Sequence, residues 1–349
     1  MGPILAAKVW PSKIRAMRGW SWARLCALCA ALGCGEWGLD ALWDPALTDD
    51  SGRGRDVVVM GRPSAAISLD PGLINDNESV EVCEQIYEHL VRYAPDSTSI
   101  EPSLATNWRV TADGQEWTFR LRRGVFFHDG TPLTADAVVF SFERQRDPLH
   151  PFHREGFGYW RDSYQNIERI EALDPFTVRI KIERPYAPFL ATMAMFPVSI
   201  VSPTAVKQYG KEFGSHPVGT GPFRLASWQR GDRIVLERND KYWGEPAKLQ
   251  KLVFRTIADD RQRLVALEGG AVDVAGAIGP EELQFVKLHP DLRLHETLGQ
   301  NVAYVAMNMD KTPFSSHAVR VAVNHAVNKD PIVKLIYQGQ AMIAEGPLP

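Results

Sequence analysis

Two histidine pairs offer the most obvious chemistry in the sequence. His128-Asp129 and His150-Pro-Phe-His153 carry the nitrogen and carboxylate donors that zinc takes. Zinc hydrolases seat two histidines at i and i+4 on one helix face, so that both reach one ion. Neither pair has that spacing, and His128-Asp129 runs into Gly130-Thr131-Pro132, a turn where such side chains cap backbone groups. Asp259-Asp260 could serve as paired carboxylates for acid–base work, but adjacent acids at a helix start are more often caps. No Gly-x-Ser-x-Gly elbow occurs, and no Ser/His/Asp motif is recognisable. The expectation is therefore no catalytic residue, no metal and no cofactor. A secreted metal-dependent hydrolase using His128, Asp129, His150 and His153 is the competing reading.

A second concentration of special residues is "PVGTGPFRLASWQRGDRIVLERNDKYWG", residues 217–244. A phosphate loop would need Gly-Lys-Ser/Thr opening a helix, and no lysine follows these glycines. The segment leads into strand-like alternation instead. Gly219 and Gly221 are expected in a tight strand-entry turn, supplying positive φ or close backbone approach.

These candidates sit on a chain of 349 residues, enough for two compact units at roughly 100 to 200 residues per domain. Thirty-nine basic and 42 acidic residues give a formal charge of −3, and no basic excess points to nucleic acid. The short clusters Arg120-Leu-Arg122-Arg123 and Arg261-Gln-Arg263 read as solvated strand and helix faces. Three of four cysteines, Cys26, Cys29 and Cys34, fall near the N-terminus, which leaves Cys83 alone in the body and excludes a disulfide framework there.

Arg18 and Arg24 precede a short apolar run from Leu25 to Leu32 that ends in small residues, the layout of an export leader over residues 1–34. The run is shorter than the roughly 20 residues a bilayer span requires. Ala31-Leu-Gly-Cys34 resembles a lipoprotein processing box with Cys34 as the lipidated residue, although Ala31 stands where leucine is usual. Ordinary cleavage after Gly33 fits as well, and Met17 is an alternative start. The protein is expected to be periplasmic or a membrane-anchored lipoprotein, and monomeric.

Residues 35–55 read as a linker before a strand at Val57-Val58-Val59. In "SLDPGLINDNESVEVCEQIYEHLVRY", a Pro-Gly turn precedes apolar positions Val80, Cys83, Tyr87, Leu90 and Val91 at helical spacing, with Asn75 and Glu78 as a capping box. Cys83 falls on the buried stripe. Asp113-Gly114 between alternating runs predicts a hairpin, and Thr134 caps the helix that follows. Strands are expected at 176–182, 234–238 and 252–255. A helix should run from Asp259-Asp260 to Gly269-Gly270, another should begin at Pro280, and "YVAMNMD" (304–310) should form a strand. A small-residue helical face at Ala318 to Ala326 precedes one more helix start at Asp330-Pro331. This irregular interleaving predicts a mixed α+β fold.

Several ordered stretches then share one resemblance. "LDPGL" with "IYEHLVRY", "EPSLATNWRVTADGQEWTFRLRRGVFFHDGTPLTADAVVFSFER", "PVGTGPFRL" with "NDKYWG", and "VAMNMDKTPFSSHAVRVAVNHAVNKDPIVKLIYQG" resemble the dipeptide- and oligopeptide-binding subunits of bacterial ABC importers, solute-binding family 5. The resemblance implies a periplasmic-binding-protein-like fold of two lobes that binds peptides for import and works with a membrane ABC permease, without catalysis. Nickel, oligosaccharide and opine binders share that fold.

The resemblance also implies a nearly complete lobe I over 56–305, with an inserted subdomain near 92–200, and a truncated lobe II beginning at 306–349 after a hinge near Tyr304 to Asn308. The glycine-proline run would return the chain from the subdomain to lobe I. Asn75, Asp76, Asn77, Gly219, Thr220, Gly221, Tyr304 and Asn308 would face the ligand cleft. Helix cap, turn and strand packing are their structural alternatives. With one lobe short, weak peptide affinity is expected, and an inactive truncated binding protein is a further alternative.

Overall fold

The computed structural model describes residues 4–8, 56–95, 97–296 and 302–346. The leader segment with Cys26, Cys29 and Cys34, and the linker over 35–55, lie outside them. The chain forms two compact units, one holding residues 4–8, 59–63 and everything described from 257 onward, the other holding 56–58 and 64–256.

In chain order, β1 (Ile4–Lys8) and β2 (Val57–Arg62) come first, followed by α1 (Asn77–Ile86). The cap of α1 is Asp76, whose Oδ1 accepts from the Ser79 N–H at 2.8 Å, so the capping box expected of Asn75 and Glu78 starts one residue too early. The helix also stops before Leu90. Beyond Tyr87 the backbone finds tertiary partners: the carbonyls of Glu88, His89 and Leu90 accept from Ile200, Leu104 and Ala105. Apolar spacing carried on past Ile86 because these residues are buried in other ways. Leu90 and Val91 belong to the core, and Val91 opens β3 (Val91–Tyr93).

The next strands are β4 (Ile100–Pro102), β5 (Ala105–Val110) and β6 (Glu116–Leu121). The β5–β6 hairpin turns at Gly114, whose φ of +73° is open to glycine at little steric cost. Thr134 caps α2 (Ala135–Arg146) by position, without a side-chain hydrogen bond. After α3 (Gly158–Ser163), β7 (Ile167–Asp174) and β8 (Thr177–Ile182) complete an antiparallel sheet of order β5-β6-β8-β7. Phe119, Val178, Ile180 and Ile182 on this sheet pack with Val138 and Phe142 of α2 in one core cluster that runs from Leu90 to Ile200.

Past α4 (Pro203–Tyr209), β9 (Phe223–Gln229), β10 (Arg233–Arg238) and β11 (Lys251–Thr256) pair antiparallel in sequence.

In the other unit, α5 (Asp260–Glu268) starts from Asp259, which accepts from the Gln262 N–H at 2.8 Å, and ends at Gly269 as the sequence suggests. β12 (Val274–Gly276), α6 (Leu283–Leu288) and β13 (Leu292–Glu296) follow. One charge cluster departs from its solvated reading. Arg263 is fully buried, its guanidinium donating to the carbonyls of Ile257, Ala258, Gly276 and Ala277 and to Asp260. Five acceptors offset the desolvation of one cation.

The strand expected at 304–310 does not form. Residues 302–308 have no regular structure and no pairing strand among the described residues, so their backbone has no ladder to join. α7 (His317–Ala326) follows as expected, but none of its residues is buried. The final helical turns cover Lys329–Pro331 and Ile332–Ile336. Tyr304, Val305, Met309, Leu335, Ile336 and Met342 are all exposed.

Candidate functional site

The Gly-Pro run builds a clamp on the end of α1. An added Cβ on Gly219 would stand 2.1 Å from the Ile86 carbonyl oxygen, and one on Gly221 would stand 2.6 Å from that of Gln85. Neither glycine has positive φ, so of the two uses open to them close approach is the one realised. The Gly221 N–H donates to Ile86 O at 2.9 Å, and the buried Asn239 amide donates to Gly221 O at 3.0 Å.

Glu88, just past α1, is the polar centre of the clamp. Its carboxylate accepts from the hydroxyls of Thr220 (2.7 Å) and Tyr242 (2.8 Å) and from the Trp243 indole N–H (2.8 Å). Burial raises the Glu88 carboxyl above its ordinary value, against the pull of these three donors. Burial and the neighbouring Glu88 together push the Tyr242 phenol above its usual range. The Arg122 guanidinium lies 4.1 Å over the Trp243 ring, closing the cluster with a cation–π contact.

His128, one of the metal-ligand candidates, is a strut of the same clamp. Its backbone N–H donates to Gly219 O at 2.9 Å, its Nδ1 faces the Gly219 N–H at 3.4 Å, and its Nε2 lies 3.0 Å from Gly221 O. Burial lowers its pKa to about 4, so the neutral ring donates from Nε2 and accepts at Nδ1. Asp129 caps the turn at Thr131 and takes the Ser202 hydroxyl. His153 Nδ1 is tied to the Arg144 carbonyl, and His150 packs edge-on against Phe140. Among the described residues no group of three or more His, Cys, Asp or Glu is arranged to hold a metal ion.

The loop before α1 is fixed from below. Asp70 and Arg144, both buried, form a bidentate pair at 2.6 and 3.0 Å, and the Tyr87 hydroxyl donates to Leu69 O at 2.8 Å. Ile74 is buried, and directly after it Asn75 and Asn77 are exposed. Asp76 lies between them with Oδ1 engaged in the cap and a buried Oδ2 that has no hydrogen-bond partner.

The structure thus brings Gly219, Thr220 and Gly221 together with α1, and presents Asn75 and Asn77 to solvent. Thr220 is fully buried and committed to Glu88. In the other unit Tyr304 is 80% exposed, and Asn308 caps its own turn through the Asp310 N–H. The sequence reading missed Glu88, Tyr242 and Trp243. The one signal was a glutamate amid otherwise apolar spacing after Cys83, and it names no partner.

Comparison with known proteins decides the family. Residues 99–349 match the family described as bacterial extracellular solute-binding proteins, family 5 Middle. The chain belongs to that family. It is 35% identical over 321 residues to heme-binding protein A of Haemophilus influenzae, covering 87% of this chain and 59% of the relative. It is 34% identical over 295 residues to the glutathione-binding protein GsiB of Pectobacterium atrosepticum, covering 84% and 55%.

Among solved family 5 and related structures, a periplasmic binding protein, DppA of Helicobacter pylori, in complex with the peptide STSA, superposes with a TM-score of 0.79 at 35% identity. That match covers 84% of this chain and 60% of DppA. A dipeptide-binding protein of Pseudoalteromonas with Met-Leu bound gives 0.79 at 25% identity. These neighbours are two-lobed periplasmic binding proteins, in keeping with the mixed α/β fold expected. The chain spans 55 to 60% of the length of these relatives.

Proposed function

We propose that the protein is an extracytoplasmic solute-binding component of an ABC importer, that its solute is a peptide, and that it acts by binding without bond-making. The observation that carries this reading is the family match over residues 99–349, joined to the likeness to the peptide-bound DppA. The metal-hydrolase alternative has lost its candidate ligands to structural roles, since His128 and His153 are tied to backbone groups.

The direct ligand contacts we assign to the loop Asn75-Asp76-Asn77, whose Asn75 and Asn77 are exposed, and to Tyr304 and Asn308. Gly219, Thr220 and Gly221 support the first loop by fixing the end of α1. Extended peptides are held largely through their own backbone groups, which tolerates sequence variety, with charge capture at the ends. An ABC permease is the partner, and a lipid on Cys34 is the anchor we favour for the exported chain.

The test is amide chemical-shift mapping of the labelled protein titrated with di- to tetrapeptides, glutathione, heme and a neutral disaccharide. Peptide-dependent shifts at residues 75–77 are expected even at weak affinity. Shifts with the sugar or heme and none with peptides would overturn the proposed ligand class.

A further inference from the structure

The arginine run that reads in the sequence as a solvated strand face lies on a cavity of about 560 Å³. Its wall includes Thr106 of β5, Arg120 of β6, Arg122, Arg123, Asp174 and Phe176. Three arginines stand against one acid there. Asp174 is already engaged: its carboxylate accepts from the Phe176 N–H at 2.8 Å and from the Thr177 hydroxyl. Those two bonds, with Arg120 and Arg123 nearby, hold its carboxyl below the usual range.

The arginines are positioned without being satisfied. Arg122 lies over the Trp243 ring and donates from Nε to Ser103 O at 3.3 Å. Arg123 lies 4.6 Å over the Phe176 ring. A cation–π contact holds a guanidinium in place but supplies no oxygen to its N–H groups. Among the described residues, the side chains of Arg120 and Arg123 make no hydrogen bond and no ion pair, and both residues are exposed. Arg179 of the same sheet, by contrast, is paired with Glu171 at 2.8 Å. The run also sits on paired backbone, since Leu121 N–H donates to Phe176 O and Arg122 N–H to Leu104 O, each at 2.8 Å.

We propose that this cavity is a binding site for a phosphate-bearing small molecule, with Arg120, Arg122 and Arg123 as its oxyanion donors. Three guanidinium charges less one carboxylate leave an excess of two, and a phosphate group carries about −1.5 to −2 at neutral pH. The planar fork of arginine matches phosphate oxygens in pairs. The volume falls within the roughly 300 to 1,000 Å³ of small-molecule sites, which leaves room for an organic body beyond the phosphate. None of the residues assigned above to peptide lines this cavity, so the site stands or falls apart from that reading.

Titration of the full chain with inorganic diphosphate at low salt, followed by calorimetry and by amide shifts, tests the proposal. Saturable binding is expected, with shifts at residues 121–124 and at Phe176, and it should weaken as salt is raised. Arg120→Gln/Arg123→Gln should weaken binding about tenfold or more through lost charge-assisted hydrogen bonds. Neither side chain hydrogen-bonds the fold, so the pair can be replaced without stranding a partner; Arg122 is left intact because it also closes the Glu88 clamp. Arg109→Gln/Arg184→Gln, which removes as much charge from exposed positions outside the cavity, should leave the affinity unchanged. Absence of saturable binding overturns the proposal, as does an equal loss in the two double variants or a set of shifts centred on residues 75–77. Citrate binding as tightly as diphosphate overturns the assignment to phosphate.

Discussion

The Trp243 indole donates to the Glu88 carboxylate across 155 positions of sequence, at 2.8 Å. Thr220 and Tyr242 donate to the same carboxylate, so Glu88 ties α1 to two later segments at once. Burial raises its folded-state pKa, so folding favours the protonated acid. Its contribution is fully present below the ordinary glutamate range and is lost as pH rises through the raised value. Glu88→Gln should therefore gain on the wild type as pH rises from the ordinary glutamate range through the raised value, where the wild-type charge develops. Glu88→Ala strips three donors of their acceptor and should cost about 3 kcal/mol. Urea unfolding at several pH values reads both.

Gly219→Ala forces a methyl into the Ile86 carbonyl. The strain falls on backbone, which has little room to move, and a loss of about 3 kcal/mol is expected from overpacking. Gly158→Ala is the control, because its nearest neighbour is the far end of Arg161 at 3.9 Å. Thermal denaturation should place the control within about 0.5 kcal/mol of the wild type.

His128 gives the opposite pH signature. Its folded pKa of about 4 lies below the ordinary value of 6.5, so its contribution is present above pH 6.5 and is lost as pH falls toward 4. The shift corresponds to at most about 3 kcal/mol. Titrating the ring by NMR should find it neutral at pH 5.5. A ring that protonates near 6.5 would show that the clamp does not hold it.

The Asp70–Arg144 pair should behave as a buried unit. Asp70→Asn alone leaves a cation that is 1% exposed without its counter-charge and should cost about 3 to 5 kcal/mol. The double variant Asp70→Leu/Arg144→Met should lose clearly less than the sum of the singles, because neither charge is then stranded. A double-mutant cycle by urea denaturation measures the difference.

Local signals in the sequence carried far for elements whose cause is local. Gly114 marked the β5–β6 turn, Asp259 and Gly269 bracketed α5, and alternation marked β8 and β10, because turn conformation, capping and period-two burial act within a few residues. The readings that failed depended on distant partners. Apolar spacing extended α1 past Ile86, where backbone groups are taken by Ile200 and Leu104. Tyr304 to Asp310 looked like a strand, yet a strand needs a neighbour. Arg263 looked solvated because nothing nearby in sequence announces the carbonyls that surround it. The candidate site was legible as glycines and an Asn-Asp-Asn loop, while the Glu88 cluster rests on residues contributed 132 to 155 positions later.

That separation has a consequence for how the polypeptide is made. At a synthesis rate of roughly 5 to 20 residues per second, the carboxylate at position 88 leaves the ribosome on the order of ten seconds or more before Trp243. Through that interval it stays hydrated and ionised, and the last turn of its helix has nothing to lean on. The compact body between Leu90 and Ile200 can mature meanwhile, so the joint that clamps the end of α1 is completed after it, by a tyrosine and a tryptophan arriving together.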